Sequence, residues 1–307
     1  MIRLEFRAVG TRCSAAAVPG GGAERALEAA RAEVEACERA LSRFDADSDL
    51  SRLNAARGEW TRVDRRLREA LVLALRAREA TRGRFDPTVL PALVAAGYDR
   101  SFEQLEERPA RRLAGWRAGA AIEIDGDRAR LEPGAAVDLG GIGKGYAAQR
   151  AVEAMREAWP ALPGGIVDLG GDLALWGSPP EPGPWRIAID DPRGGRAGVL
   201  AVGGGGVATS GRDVRRFGPR RSLHHLIDPA TGSPARTGPL AVTVVAPSAA
   251  EAEAHATALA VSSFEDAAAH VARTPLLSAL WIPEQGAPLP LGPLPLAGTR
   301  VLVRTAS

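Results

Sequence analysis

The chain contains a single lysine, Lys144, and every other one of its 39 Lys and Arg residues is Arg. It stands in the run Asp138-Leu139-Gly140-Gly141-Ile142-Gly143-Lys144-Gly145-Tyr146. A glycine turn ahead of a helix presents bare backbone N–H groups to an anion, and an ammonium adds a point charge, so the chemistry on offer is phosphate binding. The spacing excludes a P-loop, which needs Gly where Asp138 stands and Ser or Thr where Gly145 stands. It also fails the dinucleotide-binding G-x-G-x-x-G pattern. Taken alone, a turn of this composition is a tight turn and nothing more. The two cysteines, Cys13 and Cys37, have neither metal spacing nor C-x-x-C pairing and read as idle thiols.

Elements must position such a turn. Leu27, Ala30, Val34, Cys37 and Leu41 recur at steps of three or four, which predicts an amphipathic helix over 23–43. A second helix is predicted over about 64–81, after the polar turn "FDADSDLSRLN". "FDPTVLPALVAAGYD" reads as a turn followed by a short helix, and "AIEIDGDRARLE" as a hairpin turning at Asp125-Gly126. The glycine turn leads into a helix over about 144–158, and "GGIVDLGGDLALWG" reads as strand, glycine turn and strand. Residues 2–9 and several later runs read as strands, "AEAEAHATALAVSSFEDAAAHVAR" as one or two helices, and "LLSALWIP" and "TRVLVRT" as closing strands. The Pro- and Gly-rich segment 283–298 is expected to be a loop before the last strand. Helices come early and strands come in runs, so the class is α+β.

The 307 residues are 45% hydrophobic, enough for one large or two modest domains. A formal charge of +2, with Arg dispersed along the chain, argues against a nucleic-acid partner. No run approaches a membrane span. The first residues have no signal-peptide core and no lipid-attachment cysteine, so a cytoplasmic protein is expected, unless the true start lies further upstream.

The glycine turn has company. "GTRC", "SDLSRLN", "FDPT", "ATSGRD" and "HHLIDPATGSP" mix polar residues with Gly, Pro and Asp. With "VDLGGIGKGYA" and "AEAHATAL" they occur in an order that resembles the ApbE family of flavin transferases, over about residues 8–260. The resemblance implies one ApbE-like domain over 1–307, T-fold-like, with mainly antiparallel sheets and long N-terminal helices. It implies an FAD- and Mg²⁺-dependent enzyme that splits FAD and attaches the FMN half to a Thr or Ser of an acceptor protein, releasing AMP.

Carried over by motif, Phe44 corresponds to an aromatic residue that stacks on the isoalloxazine, and a phenyl ring keeps the π face. Asn54 would lie near the flavin and pyrophosphate, and Asp86 in "FDPT" would border the pocket. Asp138, Gly140, Gly141 and Lys144 would wrap the pyrophosphate, with the Gly143 carbonyl helping to hold Mg²⁺. The family often has Asp three residues after Tyr146, where this chain has Gln149. Thr209, Ser210 and Gly211, then His225 and Asp228, fall on two further family motifs. His225 is the implied base, and imidazole suits proton removal near neutral pH. His224 and His270 read as surface or satisfied core residues. Glu253 and Thr257 take the places of a metal-binding Asp and Thr four residues apart on a helix, and such positions share one face. Glu carries its carboxylate one methylene further out than Asp, which bears on a metal that demands close octahedral geometry. His255, between them, should point elsewhere. An FAD-splitting hydrolase, an FAD-binding protein without chemistry, and a phosphate-ligand protein unrelated to flavin are the alternatives.

Overall fold

The computed structural model describes residues 1–105, 111, 113–212 and 216–297. Eight strands build the main sheet: Ile2–Ala8, Thr11–Ala17, Gly164–Leu169, Leu173–Gly177, Gly205–Gly211, Ala241–Ala246, Ser278–Ile282 and Leu289–Leu291. They lie side by side in chain order, and every neighbouring pair is antiparallel. The helices are α1 (Ala23–Leu41), α2 (Asp49–Ala55), α3 (Arg65–Ala80), α4 (Leu90–Ala96), α5 (Gly143–Ala158), α6 (Ala249–Ala260) and α7 (Phe264–Arg273). The class is α+β, as expected.

Strand alternation divides the core. On Gly205–Gly211, Ala208 packs beneath α6, while Val207 faces the opposite side with Trp185 and Leu200 of a hairpin formed by Trp185–Asp190 and Arg196–Val202. On the helical side α5 packs against both α1 and α6, and α6 lies on the sheet. Helix α6 is built mostly from Ala and is buried nearly all round, with Glu251 exposed near its start. Small side chains let it come close. A Cβ on Gly206 would lie 2.3 Å from the Ala249 Cα, and one on Gly145 only 2.2 Å from the Ala249 carbonyl oxygen. The start of α6 is thus gripped between the sheet and the start of α5, and this contact sets the geometry of the site below.

Two expectations change. The polar run "FDADSDLSRLN" contains α2, capped by the Ser48 hydroxyl accepting from the Ser51 N–H at 3.0 Å, with Leu50 and Leu53 buried. Segment 283–298 is not all loop, because Leu289–Leu291 pairs with Ser278–Ile282 at the sheet edge. The expected last strand, "TRVLVRT", falls outside the described residues. Among the described residues, no helix is long and apolar enough to cross a membrane.

Helices α6 and α7 are tied by a buried pair, His270 Nε2 and His255 Nδ1, 2.9 Å apart. Burial pushes the His255 imidazole down to about 4, and the His270 imidazole is also lowered, first by burial. Both rings are neutral in the fold, while the unfolded chain protonates near the ordinary value of 6.5. Their contribution to stability is therefore complete above about pH 6.5 and is lost as pH falls towards about 4. His255 accounts for about 3 kcal/mol of that loss. Urea unfolding at pH 7.5 and pH 5 is expected to show the drop, and the His255→Leu variant a flatter pH slope. An equal slope in both proteins would disprove the assignment.

Candidate active site

Lys144 is the second residue of α5, and its ammonium bridges two carboxylates, those of Asp172 and Glu253. Glu253 Oε1 lies 2.7 Å from Nζ, and Glu253 Oε2 accepts the Gly145 N–H at 2.7 Å. Asp172 and Glu253 are each 2% exposed. The close approach of α5 to α6 at Gly145 brings these groups together. The extra methylene of Glu lets one carboxylate reach both the ammonium and the backbone N–H. One turn further along α6, the Thr257 hydroxyl faces the Gly141 carbonyl at 3.4 Å.

Asp172 ends the turn after strand Gly164–Leu169, and the Asp168 carboxylate fixes that turn by accepting the Gly171 N–H at 2.8 Å. Nearby, Arg43 Nε meets Asp138 Oδ2 at 2.6 Å, with both side chains largely buried. Asp138 Oδ1 also accepts the Gly140 N–H at 2.8 Å, which shapes the glycine turn. The Arg43 guanidinium lies 4.1 Å from the Phe44 ring centre and 4.7 Å from that of Tyr98.

These groups border a cleft in two joined chambers. The larger, of about 480 Å³, has an apolar wall of Leu41, Phe44, Leu50, Tyr98, Phe102 and Leu139. The smaller, of about 180 Å³, is lined by Lys144, Asp172, Thr209, His225, Glu253 and Thr257. Arg43, Phe44, Asp138, Gly140 and Lys144 belong to both. Phe44 is 48% exposed, so its ring face is open for stacking instead of capping the core.

Most of the expected residues meet at this cleft, with Gly141, Ser210 and Gly211 on the smaller chamber and Gly143 on the larger. Gly143 is already the first residue of α5, so its carbonyl runs along the helix axis, and the turn carbonyl near Thr257 is that of Gly141. Three expected residues do not line the cleft. Asn54 is spent on the backbone of Val137, donating to its carbonyl at 2.9 Å and accepting its N–H at 2.7 Å. Asp86 accepts the N–H and hydroxyl of Thr88 and the N–H of Gly119, and so fixes the "FDPT" turn. Asp228 accepts the Ala230 N–H and shapes the turn that follows His225. His224 is a core residue, with Nε2 2.9 Å from the Ala235 carbonyl oxygen, but it is only half satisfied, since its buried Nδ1 has no hydrogen-bond partner among the described residues.

Two residues of the site went unassigned in the sequence. Arg43 carried a signal, since it directly precedes Phe44, the residue matched to the stacking aromatic. Asp172 carried none beyond following two glycines.

Mg²⁺ can be tested against these donors. Two cations, Arg43 and Lys144, stand against three carboxylates, Asp138, Asp172 and Glu253, so one negative charge is left over beside the Thr257 hydroxyl and the Gly141 carbonyl. All the free donors are hard oxygens. Among the described residues no group of three or more His, Cys, Asp or Glu gathers into a closed cage. Mg²⁺ is commonly held by one or two carboxylates plus substrate phosphates, so the residues fit it.

An α+β fold with an aromatic chamber opening onto a lysine-carboxylate chamber defines a protein built for a ligand that joins a flat ring to an anionic group. The model of the ApbE family matches residues 9–281. An FAD:protein FMN transferase of Treponema pallidum is 33% identical over 287 residues, covering 86% of this chain and 78% of its own. One of Klebsiella pneumoniae is 31% identical, covering 86% and 79%. Among solved structures, the ApbE protein of Thermotoga maritima superimposes with a TM-score of 0.84 at 30% identity, covering 94% of this chain and 96% of its own. The Pseudomonas stutzeri flavinyl transferase ApbE gives 0.80 at 25%, covering 95% and 94%. The chain belongs to the ApbE family.

Proposed function

We propose that this chain is an FAD:protein FMN transferase. The observation that carries the reading is the union of an open aromatic face at Phe44 with the Lys144 ammonium and the His225 imidazole along one cleft. Phe44 stacks on the isoalloxazine, and Arg43 holds that ring from behind. Lys144 and the backbone N–H of Gly141, in the turn that Asp138 shapes, face the pyrophosphate. Thr209 and Ser210 supply hydroxyls along the same wall.

The acceptor hydroxyl oxygen attacks the FMN-side phosphorus. His225 takes the hydroxyl proton, a P–O bond to the acceptor forms, the anhydride P–O bond breaks, and AMP leaves. Lys144 stabilises the charge that develops on the phosphoryl oxygens. Glu253, Thr257 and the Gly141 carbonyl would hold Mg²⁺, with Asp172 beside them, and a bound Mg²⁺ would neutralise phosphoryl charge. The surplus carboxylate gives a reason for needing a divalent cation, because a pyrophosphate brought to this chamber alone would be repelled.

Incubation with FAD, Mg²⁺ and a peptide bearing a candidate Thr, followed by mass spectrometry, tests the reading. A gain of one FMN is expected. Formation of FMN and AMP without an adduct would make the chain a hydrolase, and unchanged FAD would leave it a binding protein.

A further inference from the structure

Arg43 and Phe44 follow α1 closely, and Arg43 lines both chambers of the cleft. The Arg43 side chain is only 7% exposed. Its guanidinium lies over the Phe44 ring and over the Tyr98 ring, whose centres are 6.1 Å apart. Tyr98 stacks in turn on Phe217, with centres 5.5 Å and planes 29° apart. The in-plane N–H groups of Arg43 reach two acceptors, Asp138 Oδ2 at 2.6 Å from Nε and the Tyr98 carbonyl at 3.1 Å from Nη2. A planar fork can offer its face to rings and its edge to oxygens at once, and an ammonium cannot.

Asp138 is the other half of the pair, and its place conflicts with its charge. Its side chain is 13% exposed, it lines both chambers, and its Oδ1 accepts the Gly140 N–H inside the turn assigned to pyrophosphate. An unpaired carboxylate there repels an anion, and at such low exposure water screens it poorly. Lys144 does not cancel that charge, because its ammonium is engaged by Asp172 and Glu253. Arg43 supplies the cancelling charge, and supplies it from the ring wall.

We infer that Arg43 is a positioning residue through which the ring wall and the anion turn are built as one unit. Its stacked guanidinium backs Phe44 and at the same time neutralises Asp138, so the turn receives a pyrophosphate well only while Arg43 is held against the rings. The inference rests on the FAD reading of the cleft and adds to it a coupling between the ring and the phosphates of the ligand.

Two probes separate the two duties: riboflavin, which has the ring and no phosphate, and FAD. Their Kd values are read by flavin fluorescence in chelator. Arg43→Gln loses both duties. Riboflavin is expected to bind it about threefold more weakly and FAD about thirtyfold more weakly, the extra factor of about ten being the uncancelled charge of Asp138. Arg43→Gln/Asp138→Asn replaces the ion pair by a neutral amide pair and keeps an acceptor for the Gly140 N–H. Its FAD loss should shrink to about threefold, equal to its riboflavin loss. Arg43→Lys keeps the charge and gives up the flat stacking, so both probes should weaken by the same factor of about three. In transfer assays the KM for FAD should follow these ratios while kcat changes by less than about threefold, because Arg43 acts on placement of the ligand and not on the reacting phosphorus. A loosened fold would instead lower kcat in every variant and give no recovery in the double variant. Equal weakening of riboflavin and FAD by Arg43→Gln, or an FAD loss undiminished in the double variant, would overturn the inference. Should Arg43→Gln not fold, Arg43→Lys decides: matched losses support the coupling, and an FAD loss well beyond the riboflavin loss overturns it. These binding ratios without an FMN adduct on an acceptor Thr would refute the transferase reading and leave the coupling standing. Absence of flavin binding by the unaltered protein would refute both.

Discussion

Replacing Lys144 with Met is expected to reduce FMN transfer by at least about a hundredfold and to destabilise the cation-free protein by about 2–3 kcal/mol. The two effects have different causes. Among the described residues the ammonium is the sole cation bridging Asp172 and Glu253, and both carboxylates are buried. Removing one partner of a buried pair costs more than the pair contributes, because it strands the other charge away from water. The lysine side chain is 21% exposed, which moderates the cost. Transfer suffers because the charge meant for the phosphoryl oxygens is gone. Divalent cations should restore much of the lost stability, since the stranded carboxylates then have a counter-ion, and calorimetry should show Mg²⁺ binding more tightly to the variant than to the unaltered chain. The Lys144→Arg variant separates charge from shape. It keeps the positive charge, so stability should fall little, but a planar fork does not fit where a compact ammonium meets two carboxylates, so transfer should still drop. Urea unfolding with and without Mg²⁺ reads the first effect and FMN transfer the second. A Lys144→Met protein as stable as the parent in chelator would contradict the buried bridge.

The parts legible in the sequence were those governed by local rules. The 3.6-residue periodicity of α1 located it at Ala23–Leu41 against an expected 23–43, and the Asp125-Gly126 turn placed the Ile122–Asp125 and Arg128–Leu131 hairpin. The motif order brought Lys144, His225, Glu253 and Thr257 to one chamber. Roles were harder to read than places. Asn54 and Asp86 belong to the right motifs, but their side chains are consumed by backbone groups, Val137 for the one and Gly119 with Thr88 for the other. A turn residue and a ligand residue of the same type look alike until the donors around them are known. Asp172 was invisible for a different reason. It lies 28 residues from Lys144 and 81 from Glu253, so the bridge exists only because the sheet and two helices converge. The Asp-to-Glu difference at position 253 read in the sequence as a carboxylate moved out by one methylene, and in the fold that side chain spans the Lys144 ammonium and the Gly145 N–H together.

That convergence predicts opposite outcomes at two glycines two residues apart. A Cβ on Gly143 would meet only the Leu139 Cβ, at 3.6 Å, an ordinary contact. Gly143 is helical, so Gly143→Ala is expected to leave transfer intact and to stabilise the protein by about 0.5–1 kcal/mol. A Cβ on Gly145 would lie 2.2 Å from the Ala249 oxygen, 2.6 Å from its carbonyl carbon and 3.0 Å from the Ala250 nitrogen. These are backbone atoms at the start of α6, and no rotamer change moves them away. Ala249 is also backed by Gly206 on the sheet, so α6 cannot retreat in that direction. Helix α5 and helix α6 must therefore separate by about 1 Å to reach ordinary contact distance. The overpacking costs about 1–3 kcal/mol, and it also pulls Glu253 from the Gly145 N–H and the Lys144 ammonium. A displacement of that size at a catalytic centre lowers turnover by about a hundredfold. Thermal unfolding and FMN transfer measured side by side on Gly143→Ala and Gly145→Ala check the contrast. Equal behaviour of the two variants would mean that the crossing of α5 and α6 does not set the position of Glu253.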